Sequence, residues 1–160
     1  MIRTDLLLAL DYGGTKLSAA ITGIGEREWR ARERVASPPQ HDARYDRTTM
    51  LALARKLLGD HKPIAIGVSF GGPVDAARGR VILSHHIPGW EDTPLRAQLQ
   101  MEFGAPVSVD NDANVAALGE STCGAGRDCA SLLYVTVSTG VGGGFVIGGK
   151  IYGGADAMAG

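Results

Sequence analysis

Apolar and polar residues follow one another in a pattern that predicts a mixed α/β domain. The apolar runs Leu6–Leu10 and Ile64–Phe70 predict strands buried on both faces. Leu17–Thr22 follows the first run after a glycine turn and predicts its antiparallel partner. In Glu28–Val35 every second residue is charged, which predicts a third strand with one solvated face. Pro106–Val109 predicts a further buried strand.

Helical periodicity predicts three helices along the same chain. Apolar residues at helical spacing predict the first over 43–58. A second is predicted over Thr93–Phe103, with the threonine as its cap and Pro94 at its first position. Asn111 is expected to cap a third, alanine-rich helix over Ala113–Glu120. The order β-β-β-α-β-α-β predicts a mixed five-stranded sheet that is covered by helices.

The pattern begins again after residue 130. Leu132–Val137 and Phe145–Ile147 predict two strands joined by a glycine turn, and Ile151-Tyr152 predicts a short third strand. This order of strand, glycine turn and strand resembles the beginning of the chain. We therefore expect two domains of similar type, a small one over residues 1–112 and the beginning of a larger, incomplete one over 113–160.

Composition narrows the functional classes. The 160 residues are 44% hydrophobic and carry 16 basic against 17 acidic side chains. Because no net field of either sign is present, we expect neither nucleic acid nor a membrane as a partner. No apolar stretch has the length of a membrane span, so the cytoplasm is the expected compartment. Cys123 and Cys129 fit no disulfide framework, and we expect free thiols that are buried or half-buried.

The candidate chemistry begins where the first strand ends. Asp11 leaves the apolar run and precedes two glycines, a hydroxyl and a cation in the segment Tyr12, Gly13, Gly14, Thr15 and Lys16. Glycine lets the main chain approach a phosphate closely, and a carboxylate suits Mg²⁺ either directly or through water. An ordinary β-hairpin turn explains the same residues equally well, so this segment alone leaves both interpretations open.

Two later motifs carry matching chemistry. Ser138–Gly144 is a second glycine turn that fits neither a Walker loop nor a dinucleotide fingerprint, which leaves a tight turn or a second phosphate cradle. Asp110-Asn111-Asp112 ends a buried strand and opens a helix, and helix capping accounts for one of these side chains but not for three. Asp112 suits a general base that takes the proton of an attacking hydroxyl, while Asn111 orients that hydroxyl.

In this order the motifs resemble the ROK family, which includes repressors and sugar kinases, among them bacterial glucokinases. The resemblance covers nearly the whole chain and rests on the segments Asp11–Lys16, Gly71–Pro73, Pro88–Trp90, Asn111–Glu120 and Ser138–Gly144. It implies an actin-like ATPase fold, in which two ribonuclease-H-like domains surround a cleft.

The resemblance also implies a role for each matching residue. Asp11 corresponds to the aspartate that holds Mg²⁺, directly or through water, and Asp112 corresponds to the catalytic base. The residues expected to bind the phosphates of ATP are Gly13, Gly14, Thr15, Lys16, Thr139 and Gly140. The residues expected to bind the sugar are Gly71, Gly72, Asn111 and Asp112.

The implied activity moves the γ-phosphoryl group of ATP to a hydroxyl of a hexose or N-acetylhexosamine, in a homodimer or higher homo-oligomer. Family members usually continue into a Glu-x-x-His stretch, a cysteine-rich motif for structural zinc and an adenosine-binding segment, and this chain contains none of them. We therefore interpret it as the N-terminal portion of a glucokinase-like enzyme. We expect these 160 residues alone to have negligible kinase activity.

Three alternatives accompany this interpretation. A sugar-sensing repressor ranks below the kinase because only five residues precede Leu6 and no basic recognition helix is visible. A catalytically idle binding module is disfavoured because Asp11 and Asp112 are both present. The same kinase chemistry with polyphosphate as donor stays open. His86, in a segment where many family members have asparagine, fits a surface-loop histidine better than a sugar ligand.

Overall fold

The computed structural model describes residues 5–137 and 141–154. Over these residues the elements are, in chain order, β1 (Leu6–Tyr12), β2 (Lys16–Gly23), β3 (Ala31–Ala36), α1 (Ala43–Leu58), β4 (Ala65–Phe70), β5 (Val74–Asp75), β6 (Arg80–Val81), α2 (Leu95–Phe103), β7 (Val107–Asn111), α3 (Asp112–Thr122), β8 (Ser131–Val137), β9 (Val141–Ile147) and β10 (Lys150–Ile151). The chain divides into two compact units, and the division falls between Asp110 and Asn111.

Five strands form one mixed sheet in the order β3-β2-β1-β4-β7. β1 is antiparallel to β2 and parallel to β4, so the carboxyl ends of β1 and β4 lie side by side. In this register Asp11 lies opposite Ser18 on one side and Ser69 on the other. The predicted α/β class and the mixed five-stranded sheet are therefore confirmed.

α1 has the bounds that its apolar spacing predicts, and it packs on β2 and β3. The side chain of Asp42 caps the helix by accepting a hydrogen bond from the Tyr45 N–H at 2.8 Å. Gly59 follows the last turn with a φ of 56°, a backbone angle at which a side chain is costly. The buried face of α1 is apolar except for one carboxylate, Asp46.

The third strand begins later than its alternating pattern predicts. β3 starts at Ala31 and not at residue 28, because the preceding residues form a loop that Arg30 closes. The Arg30 guanidinium donates to Glu26 Oε1 at 2.6 Å and to Asp5 Oδ2 at 3.2 Å. A solvated loop can alternate charged and apolar residues as regularly as an edge strand does, so the pattern could not separate the two.

The start of α2 also differs from the prediction. Pro94 is the residue at the cap, it makes no side-chain capping bond, and the helix begins at Leu95. Thr93, predicted as the cap, is buried and pairs with Val81 instead. The Thr93 N–H donates to the Val81 carbonyl at 3.0 Å, and the Val81 N–H donates back at 2.9 Å. This pairing extends the short β5–β6 hairpin.

The second unit contains α3, which packs on an antiparallel sheet of strand order β10-β9-β8. Asn111 caps α3 as predicted, because its Oδ1 accepts hydrogen bonds from the N–H groups of Ala113 at 2.9 Å and Asn114 at 3.4 Å. The face of the sheet opposite α3 is apolar and open: Leu133, Val135, Val137, Val141, Phe145 and Ile147 are each at least 41% exposed.

Three glycines that the sequence assigned to a turn lie within β9, which begins at Val141. At Gly144 a Cβ atom would sit 2.8 Å from the Ala113 carbonyl oxygen and 2.8 Å from the Ala117 Cβ. Helix and strand therefore approach each other as closely as glycine permits. Packing alone explains the glycine at this position, without a ligand.

We expect Gly144→Ala to destabilise the second unit by about 1–3 kcal/mol, because the added methyl group must push α3 away from β9. Amide hydrogen exchange of β8 and β9, measured at increasing denaturant concentration, reports this loss of stability. The matched control is Gly119→Ala within α3, where a Cβ meets nothing within 4 Å among the residues that the structure describes. That control should gain about 0.5–1 kcal/mol from its higher helix propensity. Equal stability of the two variants would contradict the packing argument.

Two further expectations concern the cysteines and the membrane. Cys123 and Cys129 are free thiols, but both are exposed and not buried as predicted, since they lie at and beyond the end of α3. In the described part of the chain, no helix combines the length and apolar character that crossing a membrane requires.

Candidate functional site

The candidate residues of the first unit meet where β1 and β4 end. Asp11, the last residue but one of β1, is half-buried, and its Oδ1 accepts a hydrogen bond from Ser69 Oγ at 2.9 Å. Ser69 occupies the same place in β4, so the parallel register brings the two side chains together. This hydrogen bond fixes the orientation of the Asp11 carboxylate, one residue before the end of β1. Ser69 was not predicted, although a hydroxyl at the end of an apolar strand was the available signal.

The turn between β1 and β2 contains two glycines with different surroundings. The Gly13 N–H donates to the Lys16 carbonyl at 3.1 Å, and a Cβ on Gly13 would sit 2.9 Å from that oxygen, so the turn itself requires glycine. Gly14 is exposed, and a Cβ there would meet nothing within 4 Å in the described part of the chain. The Thr15 carbonyl accepts from the Ser37 N–H at 3.0 Å. These two hydrogen bonds hold the turn in place. Between them, the backbone at Gly14 is open to an anion.

The loop after β4 is tied to this turn. The Gly71 N–H donates to the Tyr12 carbonyl at 2.9 Å, so one hydrogen bond joins the candidate sugar-side loop to the candidate phosphate turn. A Cβ on Gly72 would sit 3.0 Å from the Leu83 carbonyl oxygen and 3.0 Å from the Phe70 ring. Close packing therefore explains why residue 72 is a glycine. At Gly71, the constraint is the hydrogen bond from its N–H to the Tyr12 carbonyl.

Behind the turn, Tyr12 belongs to a buried aromatic cluster. Its ring lies edge-on to Trp90 with 5.4 Å between centroids, and the Phe70 ring is 4.9 Å from that of Trp90. The Trp90 Nε1–H donates to Asp46 Oδ2 at 3.2 Å. Burial is the main cause that raises the pKa of Tyr12 above its ordinary value, and the charge of Asp46 adds to it while Arg47 opposes it. The phenol therefore stays neutral.

The candidate base lies at the start of α3 in the second unit. Asp112 is exposed, and its Oδ1 accepts a hydrogen bond from the Ala113 N–H at 2.9 Å. Asn111, directly before it, is half-buried and caps the helix. These two residues are neighbours, whereas the other described candidates gather at the strand ends of the first unit. Thr139 and Gly140, predicted for the second phosphate loop, lie outside the described residues.

The chemistry of the first turn suits a hydrated magnesium ion. In residues 5–137 and 141–154 no three or more His, Cys, Asp or Glu side chains group in a way that could hold a metal ion. Mg²⁺ commonly takes one or two carboxylates together with substrate phosphates, and it keeps several waters. Asp11 meets that requirement, because Ser69 orients its carboxylate and the open backbone of Gly14 follows three residues later in the chain.

Comparison with known proteins finds related chains. A family model described as the ROK family matches residues 7–160. A glucokinase from Halalkalibacterium halodurans is 38% identical over 161 residues, which cover 96% of this chain and 47% of that enzyme. A xylose repressor from Caldicellulosiruptor bescii is 36% identical over 97 residues, which cover 61% of this chain and 24% of the repressor.

A solved structure also matches. The crystal structure of a ROK family glucokinase from Streptomyces griseus in complex with glucose and AMPPNP superposes with a TM-score of 0.80 at 34% sequence identity. The match covers 96% of this chain and 48% of that one. This chain thus spans about half the length of the two kinases to which it is similar.

Proposed function

Because the chain belongs to the ROK family, we propose that it forms part of a kinase that moves the γ-phosphoryl group of ATP to a hydroxyl of a hexose or N-acetylhexosamine. The observation that carries the proposal is Asp11, a carboxylate that Ser69 orients directly before a turn with open backbone at Gly14. Glucose is the first sugar we propose, because two glucokinases match nearly the whole of this chain.

On the donor side, Asp11 would hold Mg²⁺, directly or through water, and the ion would supply positive charge to the phosphates of ATP. The backbone N–H of Gly14 borders the space for the phosphate oxygens, whereas Gly13 shapes the turn because its N–H donates to the Lys16 carbonyl. The Thr15 hydroxyl can donate to the phosphates, and Lys16 adds a positive charge. Thr139 and Gly140 are the proposed second phosphate loop.

On the acceptor side, Asp112 is the proposed general base. A carboxylate oxygen of Asp112 takes the proton of the sugar hydroxyl while the sugar oxygen bonds to the γ-phosphorus and the bond to the bridging oxygen of ADP breaks. Asn111 orients that hydroxyl, and Gly71 and Gly72 line the sugar side. We propose a homodimer or larger homo-oligomer for the full-length protein.

A second candidate function is the sugar-binding effector domain of a repressor, favoured by the similarity to the xylose repressor from C. bescii. A repressor binds its sugar without phosphorylating it, so turnover of glucose distinguishes the two functions. Polyphosphate is the alternative donor for the kinase, and a coupled assay that offers each donor separately distinguishes it from ATP.

We expect the full-length protein to phosphorylate glucose with Mg²⁺ and ATP, and Gly14→Ala to raise the KM for ATP by about tenfold or more. The added methyl group meets no atom of the described residues within 4 Å, so we expect the fold to be preserved while the space for phosphate shrinks. Steady-state kinetics should show a nearly unchanged KM for glucose.

The matched control is Gly67→Ala in β4, where a Cβ also meets no atom of residues 5–137 and 141–154 within 4 Å. This control should leave both KM values unchanged. An unchanged KM for ATP in the Gly14→Ala variant would remove the turn from the donor site. Glucose binding without phosphorylation by ATP or by polyphosphate would favour the repressor.

A further inference from the structure

A buried histidine–carboxylate pair lies next to the first turn of α1. The side chain of His41 is 7% exposed and that of Asp46 is 1% exposed. His41 Nδ1 lies 2.7 Å from the Pro38 carbonyl oxygen, which can only accept, so Nδ1 carries a hydrogen. The other ring nitrogen, Nε2, lies 3.3 Å from Asp46 Oδ1.

A second proton is needed between these two atoms. With its hydrogen on Nδ1, a neutral His41 ring would turn the lone pair of Nε2 towards an ionised Asp46, which places two buried acceptors against each other. His41 Nε2 and Asp46 Oδ1 are fully buried, and neither has another hydrogen-bond partner among the described residues. One proton at either atom turns this contact into an ion pair or a hydrogen bond.

The surroundings of Asp46 favour keeping that proton. Its other oxygen, Oδ2, accepts from Trp90 Nε1–H at 3.2 Å. Desolvation raises the pKa of Asp46 and the charge of Asp42 adds to this, while Trp90, His41 and Arg47 act in the opposite direction. From β1, the buried, neutral phenol of Tyr12 also interacts with the carboxylate. On the histidine side, the ring centroid of Tyr45 lies 5.8 Å from that of His41.

The pair connects three pieces of the first unit. His41 lies in the segment that leads into α1, Asp46 lies on α1, and Trp90 lies in the segment before α2. A further hydrogen bond, from the Ala43 N–H to the Pro88 carbonyl at 2.9 Å, joins the same pieces. Between them is a cavity of about 610 Å³, lined by residues 38–42 together with Tyr45, His86 and Pro88. His41 is thus both a wall of the cavity and a partner of the buried carboxylate.

We propose that His41 and Asp46 share one buried proton that holds residues 38–42 against α1, so that loss of this proton at alkaline pH releases the wall of the cavity. The direction of the pH dependence follows from the number of protons that the folded and unfolded chains bind. At ordinary pKa values of about 3.9 and 6.5, the unfolded chain holds one proton on these two side chains between those pH values and none above them. Above about pH 6.5 the folded pair keeps a proton that the unfolded chain has lost, so stability falls as the pH rises.

The test uses the 160-residue chain and needs no kinase activity, so it stands or fails separately from the proposed function. Chemical denaturation from pH 6 to pH 9 should show the unfolding constant of the wild type rising by up to about tenfold per pH unit while the pair keeps its proton. In the same range, amide exchange at residues 40–42, corrected for its intrinsic dependence on pH, should accelerate relative to exchange in β1.

Asp46→Asn is the decisive variant. An asparagine in the same place can donate from its amide to His41 Nε2 and accept from the Trp90 N–H, so the contact no longer needs a titrating proton. We expect its stability to lose the alkaline slope. His61→Gln, at an exposed histidine after α1, is the matched control and should keep the slope of the wild type.

Long-range ¹H–¹⁵N spectra of the wild-type imidazoles provide a second measurement that needs no variant. The Nδ1–H of His41 should persist, and its Nε2 signal should change together with the carboxyl ¹³C signal of Asp46. Independent changes of the two signals, or equal alkaline slopes for wild type and Asp46→Asn, would overturn the shared proton.

Discussion

Asp112→Asn is expected to lower kcat of the full-length protein by about 10²–10⁴-fold while the affinity for sugar changes little. The amide has the shape of the carboxylate, and its oxygen can still accept the Ala113 N–H at the start of α3. It cannot take the proton of the sugar hydroxyl, so the loss falls on the chemical step. Steady-state kinetics give kcat, and calorimetric titration with glucose gives the affinity.

Because Asp112 is exposed, we expect the substitution to leave the fold intact. Asp128→Asn, at another exposed aspartate of the second unit, serves as the control for loss of one negative charge and should retain full turnover. A variant at position 112 that turns over at the wild-type rate would exclude this carboxylate as the base. Equal losses in both variants would instead point to a general effect of charge.

Asp11→Asn is expected to reduce kcat/KM for ATP by about 10²–10³-fold, because the site loses the carboxylate that is proposed to hold Mg²⁺ beside the phosphates. The diagnostic sign is the metal dependence: half-maximal activity should require more Mg²⁺ than in the wild type. Ser69→Ala removes only the hydrogen bond that orients Asp11, so its loss should be smaller, about tenfold. Titration of activity with Mg²⁺ at fixed ATP measures both variants.

Asp60→Asn, at an exposed aspartate just after α1, controls for the change in net charge and should behave as the wild type. A full loss of activity in Asp11→Asn with an unchanged requirement for Mg²⁺ would assign Asp11 a role other than metal binding. A Ser69→Ala variant as inactive as Asp11→Asn would mean that the hydroxyl itself contacts the donor.

Local signals predicted much of the fold. The apolar spacing predicted α1 with its observed bounds. A capping aspartate marks its first end and a glycine marks its second. The apolar runs likewise predicted the central strands of the sheet. The wrong predictions were those that depend on contacts with other segments. Arg30 closes a loop where alternation predicted the start of β3. Thr93 pairs with Val81 and does not cap α2.

The candidate site shows the same division. Asp11 and its glycines are adjacent in sequence and could be predicted together, but Ser69 joins them only through the pairing of β1 with β4. Asp46 was not predicted either, although a carboxylate on the apolar face of a helix marks an unusual position. Its role depends on Trp90 and His41, and no sequence spacing indicates that these side chains meet.

The open apolar face of the β8–β9 hairpin creates a risk of self-association while the protein is synthesised. Its exposed valines, isoleucine and phenylalanine favour strands, and β8 lies at the edge of its sheet in the described part of the chain. Whenever this face is uncovered during synthesis, the edge of β8 can pair with a strand of another nascent copy. The apolar face can also pack against the same face of such a copy. Yield should therefore depend on expression rate and temperature more steeply than the stability of the finished fold would suggest.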